Sequence, residues 1–227
     1  MELNADFSRR AVVHAAQLDW IPSPIQGVER RMLDRIGEEV ARATSFVRYA
    51  PQSRFSAHVH GGGEEFLVLE GVFQDEYGDF PAGSYVRNPP TSSHTPGSAP
   101  GCTIFVKLWQ FDPDDRTHVR LDTTGIAYVP VPGRTGVEQI PLFEGPHESV
   151  RLERWAPEAE IVLPVMAGIE LVVVEGGFGE GADRFERHSW LRLPAGATLR
   201  ARAAAGGCRV WVKTGHLAAR QTGPATA

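Results

Sequence analysis

Short apolar runs separated by turn residues dominate the chain. Runs such as residues 66–69 and 171–174 have the length of single β-strands and consist only of Val, Leu and Phe. The 24 glycines and 17 prolines fall largely between such runs, as turn residues do in all-β proteins. Residues 28–48 also carry a helical stripe, but the turn-like Gly37 favours two strands there. The pattern therefore predicts an all-β protein with many turns.

The second half of the chain repeats the first at an offset of 105 to 106 residues. Residues 65–73, Glu-Phe-Leu-Val-Leu-Glu-Gly-Val-Phe, match residues 170–178, Glu-Leu-Val-Val-Val-Glu-Gly-Gly-Phe. Self-similarity of this length indicates two tandem copies of one β unit. We expect a first domain over 1–115, with an N-terminal arm, and a second over 116–227. The same offset aligns 46–51 with 152–157, 84–87 with 189–192, and 101–107 with 207–213.

Three histidines and a glutamate of the first copy have the spacing of a metal site. Side chains alternate along a strand, so His58 and His60 lie on the same face. A Gly-rich turn then returns the chain, so that the carboxylate of Glu64 or Glu65 reaches the same point. His94 would arrive from a later hairpin. Such nitrogen and oxygen ligands suit a first-row divalent metal.

The second copy has lost this set of ligands, whereas its Glu-Gly pair, an arginine and a Val-Lys pair survive. The joint loss indicates that these residues serve something other than the fold. Glu65 aligns with Glu170 of the second copy and is therefore interpreted as scaffold, which favours Glu64 as the ligand. In this alignment Pro164 replaces His58, Met166 replaces His60, a position near Ile169 replaces Glu64, and Leu199 replaces His94.

The first copy resembles a cupin, and specifically the cupin domain of the ChrR family of metal-containing anti-sigma factors. His58, His60, Glu64 and Gly71 have the spacing of the first cupin motif, and Pro-Ala-Gly at 81–83 with His94 resembles the second. The match covers about residues 20 to 112, and the degenerate copy extends it to about 216. The resemblance implies a bicupin, with two tandem jelly-roll (double-stranded β-helix) barrels. It also implies metal ligands His58, His60, Glu64 and His94.

One departure from the ChrR family is large. The ChrR anti-sigma factor carries a helical N-terminal domain with its own His/Cys zinc site. Only about forty residues precede the core here, they contain no cysteine, and His14 is the single histidine among them. We therefore do not expect anti-sigma activity from the resemblance.

Composition limits the partners. A net charge of −5 without a basic run argues against a nucleic-acid or anionic-membrane surface. The N-terminus is polar, and no apolar run is long enough to span a bilayer. Two distant cysteines, Cys102 and Cys208, form no disulfide framework and are expected in the core. We expect a cytoplasmic protein that binds a small molecule, with homodimerisation possible through its apolar strands.

Several residues are candidates for a cavity around the metal. The aromatic and aliphatic candidates have an equal alternative as ordinary barrel core, and the arginines are better explained as structural ion pairs. The clusters at 75–76 and 112–115 are interpreted as solvated turns. The candidates are Phe66, Val68, Tyr85, Phe105 and Trp109 for the wall, and Arg48, Arg54 and Arg87 for an anionic substrate.

The expected function is a mononuclear metal-dependent dioxygenase-type enzyme acting on a small organic carbonyl or phenolic compound. The alternative is a ChrR-like, zinc-containing regulatory or sensor protein that binds a small molecule. A sugar or small-molecule isomerase, as in other cupins, fits the full ligand set less well. The expected cofactor is one divalent metal ion per chain, with iron or zinc ahead of manganese or nickel. The sequence indicates ligands for this ion, but it indicates no catalytic group and no organic cofactor.

Overall fold

The computed structural model describes residues 1–218, which are almost entirely β-strand and irregular connections. The predicted all-β class is confirmed. Two 3-10 helices, Ala15–Gln17 and Thr123–Gly125, each hold three residues. No helix within the described range has the length and hydropathy needed to cross a membrane.

The strands follow one another closely along the whole described chain. In chain order they are β1 (Glu2–Leu3), β2 (Ala11–His14), β3 (Ile21–Pro22), β4 (Val28–Gly37), β5 (Ala41–Tyr49), β6 (Ser53–Arg54), β7 (His58–Val59), β8 (Glu64–Asp75), β9 (Gly78–Pro81), β10 (Ser84–Asn88) and β11 (Ser93–His94). They continue as β12 (Gly97–Ser98), β13 (Cys102–Leu108), β14 (Val119–Asp122), β15 (Val129–Pro130), β16 (Val137–Glu144), β17 (Ser149–Trp155), β18 (Glu160–Val165), β19 (Ile169–Glu180), β20 (Asp183–Glu186), β21 (Ser189–Leu193) and β22 (Ala197–Thr214).

The described chain forms two compact units with corresponding sheets. The first contains Met1–Ala5 and Leu18–Gly125, and the second contains Asp6–Gln17 and the residues from Ile126 onward. In the first unit β1, β4, β5, β13, β8, β10 and β14 are neighbours in that order, while β7 and β11 form a separate pair. In the second unit the order is β15, β16, β17, β22, β19, β21 and β2. From β4 and β16 onward the two orders correspond strand for strand.

Cross-strand rows of apolar side chains form the core of each unit. In the first unit Val47, Ile104 and Val68 are paired across β5, β13 and β8, and all three are buried. Because side chains alternate along a strand, the residues two positions away continue the same buried face. Cys102 and Cys208 lie buried as free thiols in the two cores, as predicted, and burial raises their pKa values to about 11 and about 12.

The outermost strand of each sheet does not belong to that sheet's own repeat. It comes from the segment that precedes the other copy in the sequence. β14 pairs with β10 in the first unit, and β2 pairs with β21 in the second. The division therefore differs from the predicted boundary between residues 115 and 116, because 116–125 belong to the first unit and 6–17 to the second. Each of these strands belongs to the unit whose sheet edge it pairs with, and a repeat alignment cannot detect such pairing.

The two arms are themselves a repeat that the sequence alignment missed. Each runs strand, 3-10 helix and strand, and each reaches an aromatic-aliphatic-Pro triplet at Trp20 or Tyr128. The guanidinium of Arg48 lies 4.6 Å from the ring centroid of Trp20, and that of Arg154 lies 4.6 Å from the ring of Tyr128. A search at an offset of 108 residues would have found the triplets. The duplication therefore includes the arms as well as the barrels.

Buried arginines hold the arms in place. The guanidinium of Arg87 lies 4.1 Å from the ring centroid of Phe111 and donates a 2.6 Å hydrogen bond to Asp115. Arg192, at the corresponding position of β21, lies 3.9 Å from the ring of Phe7. These contacts give Arg87 the structural ion pair that the sequence predicted. They also combine charge with cation–π attraction at sites that exclude water.

A buried ion network occupies the interior of the second unit. The Glu153 carboxylate accepts hydrogen bonds of 2.6 and 2.8 Å from Arg134, 2.7 Å from Arg151 and 2.7 Å from the indole of Trp155. Burial opposes ionisation, but the hydrogen bond from Arg134 and the charges of both arginines hold the pKa of Glu153 below its ordinary 4.5. Val47 is the corresponding residue of the first unit, where it lines a cavity.

We predict that Glu153→Gln lowers the free energy of unfolding by about 3–5 kcal/mol, because two half-buried arginines lose the buried anion that they share. Since the pKa of this carboxyl is depressed, its contribution is complete above pH 4.5 and disappears as the pH falls through the folded-state value. Chemical denaturation between pH 7 and pH 3 measures both effects. The control is Glu138→Gln, which removes an exposed pair with Arg154 and should cost less than about 1 kcal/mol. Equal losses in the two variants would contradict the prediction.

Candidate metal centre

Two short strands and the turn beside them bring three imidazoles together. His58 of β7 and His94 of β11 are directly paired across the strands. His60 follows β7, and its backbone is held on both sides: its N–H donates to Ser92 and its carbonyl accepts from Thr91, each at 2.9 Å. One ring nitrogen from each histidine lies within 4.8 Å of the others. Ring centroids are 4.7–5.0 Å apart, with planes nearly perpendicular.

The carboxylate of Glu64 lies beside this cluster. Its Oε2 is 3.5 Å from Nε2 of His60 and 3.7 Å from Nε2 of His94. Asn88, the cross-strand neighbour of Glu64, donates a 3.2 Å hydrogen bond from Nδ2 to the same oxygen. Asn88 was missed in the sequence, although its replacement by Leu193 in the second copy was a usable signal.

Hydrogen bonds at the Nδ1 atoms leave the Nε2 atoms facing the centre. Nδ1 of His58 lies 3.2 Å from the carbonyl of Ser56, and Nδ1 of His94 lies 3.2 Å from Oδ2 of Asp75. Nε2 of His60 is buried and has no hydrogen-bond partner among the described residues. Burial also lowers the pKa of His60, which favours the neutral imidazole that a metal needs.

Asp75 corrects a sequence interpretation. We expected residues 75–76 to be a solvated turn, but the Asp75 side chain is 1% exposed and contacts His94. The reason is the length of β8, whose twelve residues carry Asp75 from the sheet back to β11. Burial disfavours the charged ring, but the hydrogen bond that the ring donates to Asp75 and the charge of Glu64 hold the pKa of His94 above its ordinary value. Asp75 thus orients His94 as second partners of metal-bound histidines do.

The donor set fits a divalent first-row metal ion. Three ring nitrogens lie within 4.8 Å of one another, a carboxylate oxygen of Glu64 lies beside two of them, and an otherwise unpaired nitrogen of His60 is among them. Glu65 projects from the opposite face of β8, where it accepts a 2.5 Å hydrogen bond from the hydroxyl of Tyr85. That contact agrees with the scaffold role inferred for Glu65 from the repeat.

The three glycines between His60 and Glu64 let an indole lie flat on the turn. A Cβ on Gly62 would stand 2.3 Å from Cδ2 of Trp109, and one on Gly61 would stand 3.1 Å from Cζ2. Trp109 itself has φ of 58°, a strained value for a residue with a side chain, and its N–H donates to the Gly63 carbonyl at 3.1 Å. The turn therefore positions His60 and Glu64 through close contact with Trp109.

A cavity of about 1180 Å³ opens beside the imidazoles in the first unit. Trp109 lines it, as predicted. Phe66 and Val68 belong to the packed core of the unit. Tyr85 and Phe105 are not in its wall, because Tyr85 bonds to Glu65 and the Phe105 ring packs 5.6 Å from that of Phe46. Apolar residues of the wall include Val47, Phe55, Ile104, Val106 and Leu108.

Tyr49 is a cavity residue that the sequence did not single out. Its ring packs edge-on against Phe55, with centroids 5.1 Å apart. Burial, followed by the negative charge of Glu64, raises the pKa of Tyr49 well above its ordinary value. Tyr49 therefore keeps its proton and offers an O–H donor inside the cavity. Its replacement by Trp155 in the second copy was the available signal.

Strand register corrects the alignment of the two copies. Leu199 corresponds to His94, and it pairs with Leu163 just as His94 pairs with His58. Leu163 is therefore the counterpart of His58, and Val165 is that of His60. Pro164 and Met166 were wrong by one residue; Met166 is 82% exposed. The four donor positions of the first unit correspond to Leu163, Val165, Ile169 and Leu199, which pack in the core of the second.

Comparisons with known proteins show a match to a cupin-like family in the first half of the chain. Residues 8–112 match the family model of the ChrR cupin-like domain. No curated protein matches the sequence. These findings confirm the predicted resemblance and the cupin fold.

Solved structures with the same fold cover nearly the whole chain. A candidate dioxygenase from Nostoc punctiforme has a TM-score of 0.71 at 15% identity, covering 100% of this chain and 86% of that one. The bacterial pirin YhhW from Escherichia coli, solved with nickel(II), has a TM-score of 0.64 at 15% identity, covering 91% and 98%. The E. coli protein YlbA has a TM-score of 0.70 at 12% identity, covering 96% and 94%. Such low identities establish the fold alone.

We predict that Gly62→Ala lowers the free energy of unfolding by about 1–3 kcal/mol, because the new methyl group overlaps the indole of Trp109. Gly61→Ala is the matched control and should cost less, since its methyl group needs only a small shift of the ring. Denaturation of both variants in the wild-type and Trp109→Ala backgrounds measures the coupling. A cost for Gly62→Ala that persists without the indole would refute this explanation.

Proposed function

We propose that the region matching the ChrR cupin-like domain, residues 8–112, is a mononuclear metal-dependent dioxygenase. Its substrate is a small organic carbonyl or phenolic compound. The proposed metal ligands are His58, His60, Glu64 and His94. One observation carries the proposal: this four-donor set lies beside a cavity of about 1180 Å³ with a largely apolar wall.

The donor set suits this chemistry. An iron(II) ion with four protein ligands would supply open positions for dioxygen and for a chelating substrate. Asn88 holds one oxygen of Glu64, and Asp75 holds His94, so two of the four donors have a fixed orientation. Rigid donors keep the open side toward the cavity.

The chain's own residues shape the reaction space. Val47, Ile104 and Leu108 give the wall an apolar surface that excludes water from a bound substrate. Tyr49 retains its phenolic proton there and can donate a hydrogen bond to a carbonyl or phenolate oxygen. Trp109 covers the turn between His60 and Glu64 and is 37% exposed at the mouth. These groups bind and orient an organic molecule beside the donor set.

The comparisons support the proposal at the level of the fold. The Nostoc protein is a candidate dioxygenase, and the nickel(II) complex of YhhW shows that a protein of this fold binds a transition metal. The ChrR name of the matched family supports the alternative of a zinc-containing sensor. Metal identity and oxygen consumption distinguish the two functions.

We expect protein reconstituted with iron(II) to bind one ion per chain and to consume oxygen with a 1,3-dicarbonyl or phenolic compound. His58→Ala with His60→Ala should lose both the ion and the oxygen uptake, because two of the four donors are gone. Elemental analysis and an oxygen electrode measure the two properties. The control, His118→Ala with His147→Ala, removes two exposed histidines outside the cluster and should keep both.

Two results would overturn parts of this proposal. Stoichiometric metal in the His58/His60 double variant would refute the proposed metal site. Tightly held zinc in protein purified from its native host, with no oxygen uptake on any candidate, would reject the dioxygenase and favour the sensor.

Asp75→Asn should weaken metal binding by about 10- to 100-fold, because an amide holds the His94 ring less firmly than a carboxylate does. Competition with a chromogenic chelator measures the affinity. Glu180→Gln changes the corresponding residue of the second copy, which pairs with Arg10, and should leave the affinity unchanged. Equal affinities of Asp75→Asn and wild type would show that Asp75 has no part in the site.

A further inference from the structure

Arg30 projects from β4 into the cavity of the first unit. Its neighbours face the other way: Glu29 bonds to Arg48, and the guanidinium of Arg31 lies 4.4 Å from the ring centroid of Trp20. Because side chains alternate along a strand, Arg30 shares the face of the buried residue Val28. Both Arg30 and Val28 line the cavity.

The charge of Arg30 has little compensation within the described chain. Its one ion pair is with Glu39, at 3.8 Å, and that carboxylate is 68% exposed. Nε of Arg30 is buried and has no hydrogen-bond partner among residues 1–218. A second buried cation, Arg35, lies near enough for Arg30 to disfavour its charged form. The Arg30 side chain is only 19% exposed, and a largely desolvated guanidinium with so weak a partner is costly unless an anion joins it.

Arg30 is a feature of the copy that carries the donor set. Its pairing with Ile21 and Val47 corresponds to that of Gln139 with Val129 and Glu153 in the second unit. A neutral amide therefore stands at this position in the copy without metal ligands. Arg30 and the four donor residues are thus present in the same copy and are all replaced in the other copy, which indicates a shared role.

The spacing between Arg30 and the donor set suits a small organic molecule. β4 is three strands from β8 in the sheet order, about 14 Å across the strands, and the row of Arg30 meets β8 at Val68, four residues from Glu64. The two backbone positions would therefore lie about 20 Å apart in a flat sheet, and the curvature of the wall and the length of the Arg30 and Glu64 side chains shorten the gap that a ligand must span. The wall between the strands is apolar, with Val47, Ile104 and Leu108 facing the cavity. Exposed Val40 and Trp109 continue the apolar surface to the mouth.

We propose that the cavity binds an amphipathic organic anion whose carboxylate pairs with Arg30. An apolar, planar body lies along the wall, and chelating oxygens at the other end reach the donor set. The second part rests on the proposed function, whereas the pairing with Arg30 does not. This inference specifies the substrate class: an aromatic acid with a carbonyl or phenolic chelating end.

A pair of catechols tests the charge requirement. Protein loaded with cobalt(II) is titrated with 3-(3,4-dihydroxyphenyl)propanoate and with 4-propylcatechol, which differ chiefly in the carboxylate, and the cobalt absorption reports binding. The wild type should prefer the acid by about tenfold or more, the effect of one charge-assisted hydrogen bond. Arg30→Gln should remove this preference while leaving the affinity for 4-propylcatechol unchanged.

Three further variants separate Arg30 from other cations. Arg30→Lys keeps the charge and should retain a preference for the acid. Arg31→Gln alters the neighbour on the opposite face and should behave as wild type. Arg54→Gln removes the other arginine of the cavity wall, and a preference for the acid that is lost in Arg54→Gln but kept in Arg30→Gln would assign the carboxylate to Arg54 and overturn the proposal. Equal affinities for the two catechols in the wild type, or an undiminished preference in Arg30→Gln, would overturn the proposal.

A metal-free experiment keeps this inference distinct from the proposed function. If the wild type takes up no cobalt, the proposed metal site fails, and the charge requirement is measured with 4-phenylbutanoate and 4-phenylbutanamide by calorimetry. Tighter binding of the acid, lost in Arg30→Gln, would still support the pairing with Arg30. No difference between acid and amide would reject it.

Discussion

The contact between Trp109 and the glycine turn is the constraint on which the metal centre depends. His60 and Glu64 lie at the two ends of this turn and face the same point, so the turn must keep one shape. An indole within van der Waals reach of the Gly61 and Gly62 backbone leaves no room for a side chain and little room for movement. The strained φ of Trp109 is offset by that packing and by its hydrogen bond to Gly63.

The two copies show what the same strands do with and without the donors. In the second unit aliphatic side chains fill the positions of the ligands, and the interior closes on a carboxylate shared by Arg134 and Arg151. In the first unit a cavity opens beside the histidines, and two polar atoms that belong to its lining residues, Nε2 of His60 and Nε of Arg30, are buried without hydrogen bonds in the described chain. The histidines and Glu64 thus accompany an open cavity in one unit, and their aliphatic replacements accompany the Glu153 network in the other.

The fold and the clustering of His58, His60, Glu64 and His94 were predictable because they follow local rules. Strand alternation placed His58 and His60 on one face. The repeat distinguished Glu64 from Glu65, because only Glu65 has a glutamate at the aligned position of the second copy. Asp75 was not predictable in this way, because its role depends on where a twelve-residue strand ends in space. The exchange of β2 and β14 likewise depends on edge pairing between distant segments, which periodicity does not encode. The one-residue error at Pro164 arose because the offset changes from 106 to 105 between strands, and only hydrogen-bond register detects that change.

The exchanged arms mean that a repeat of the sequence is not the same as a complete sheet. A chain cut at the boundary of the repeat would leave β10 or β21 without its outer neighbour, and an uncovered strand edge recruits other chains into aggregates. Each copy therefore depends on a strand from outside its own repeat. The piece to express or transplant is accordingly the repeat together with that strand, not the repeat alone.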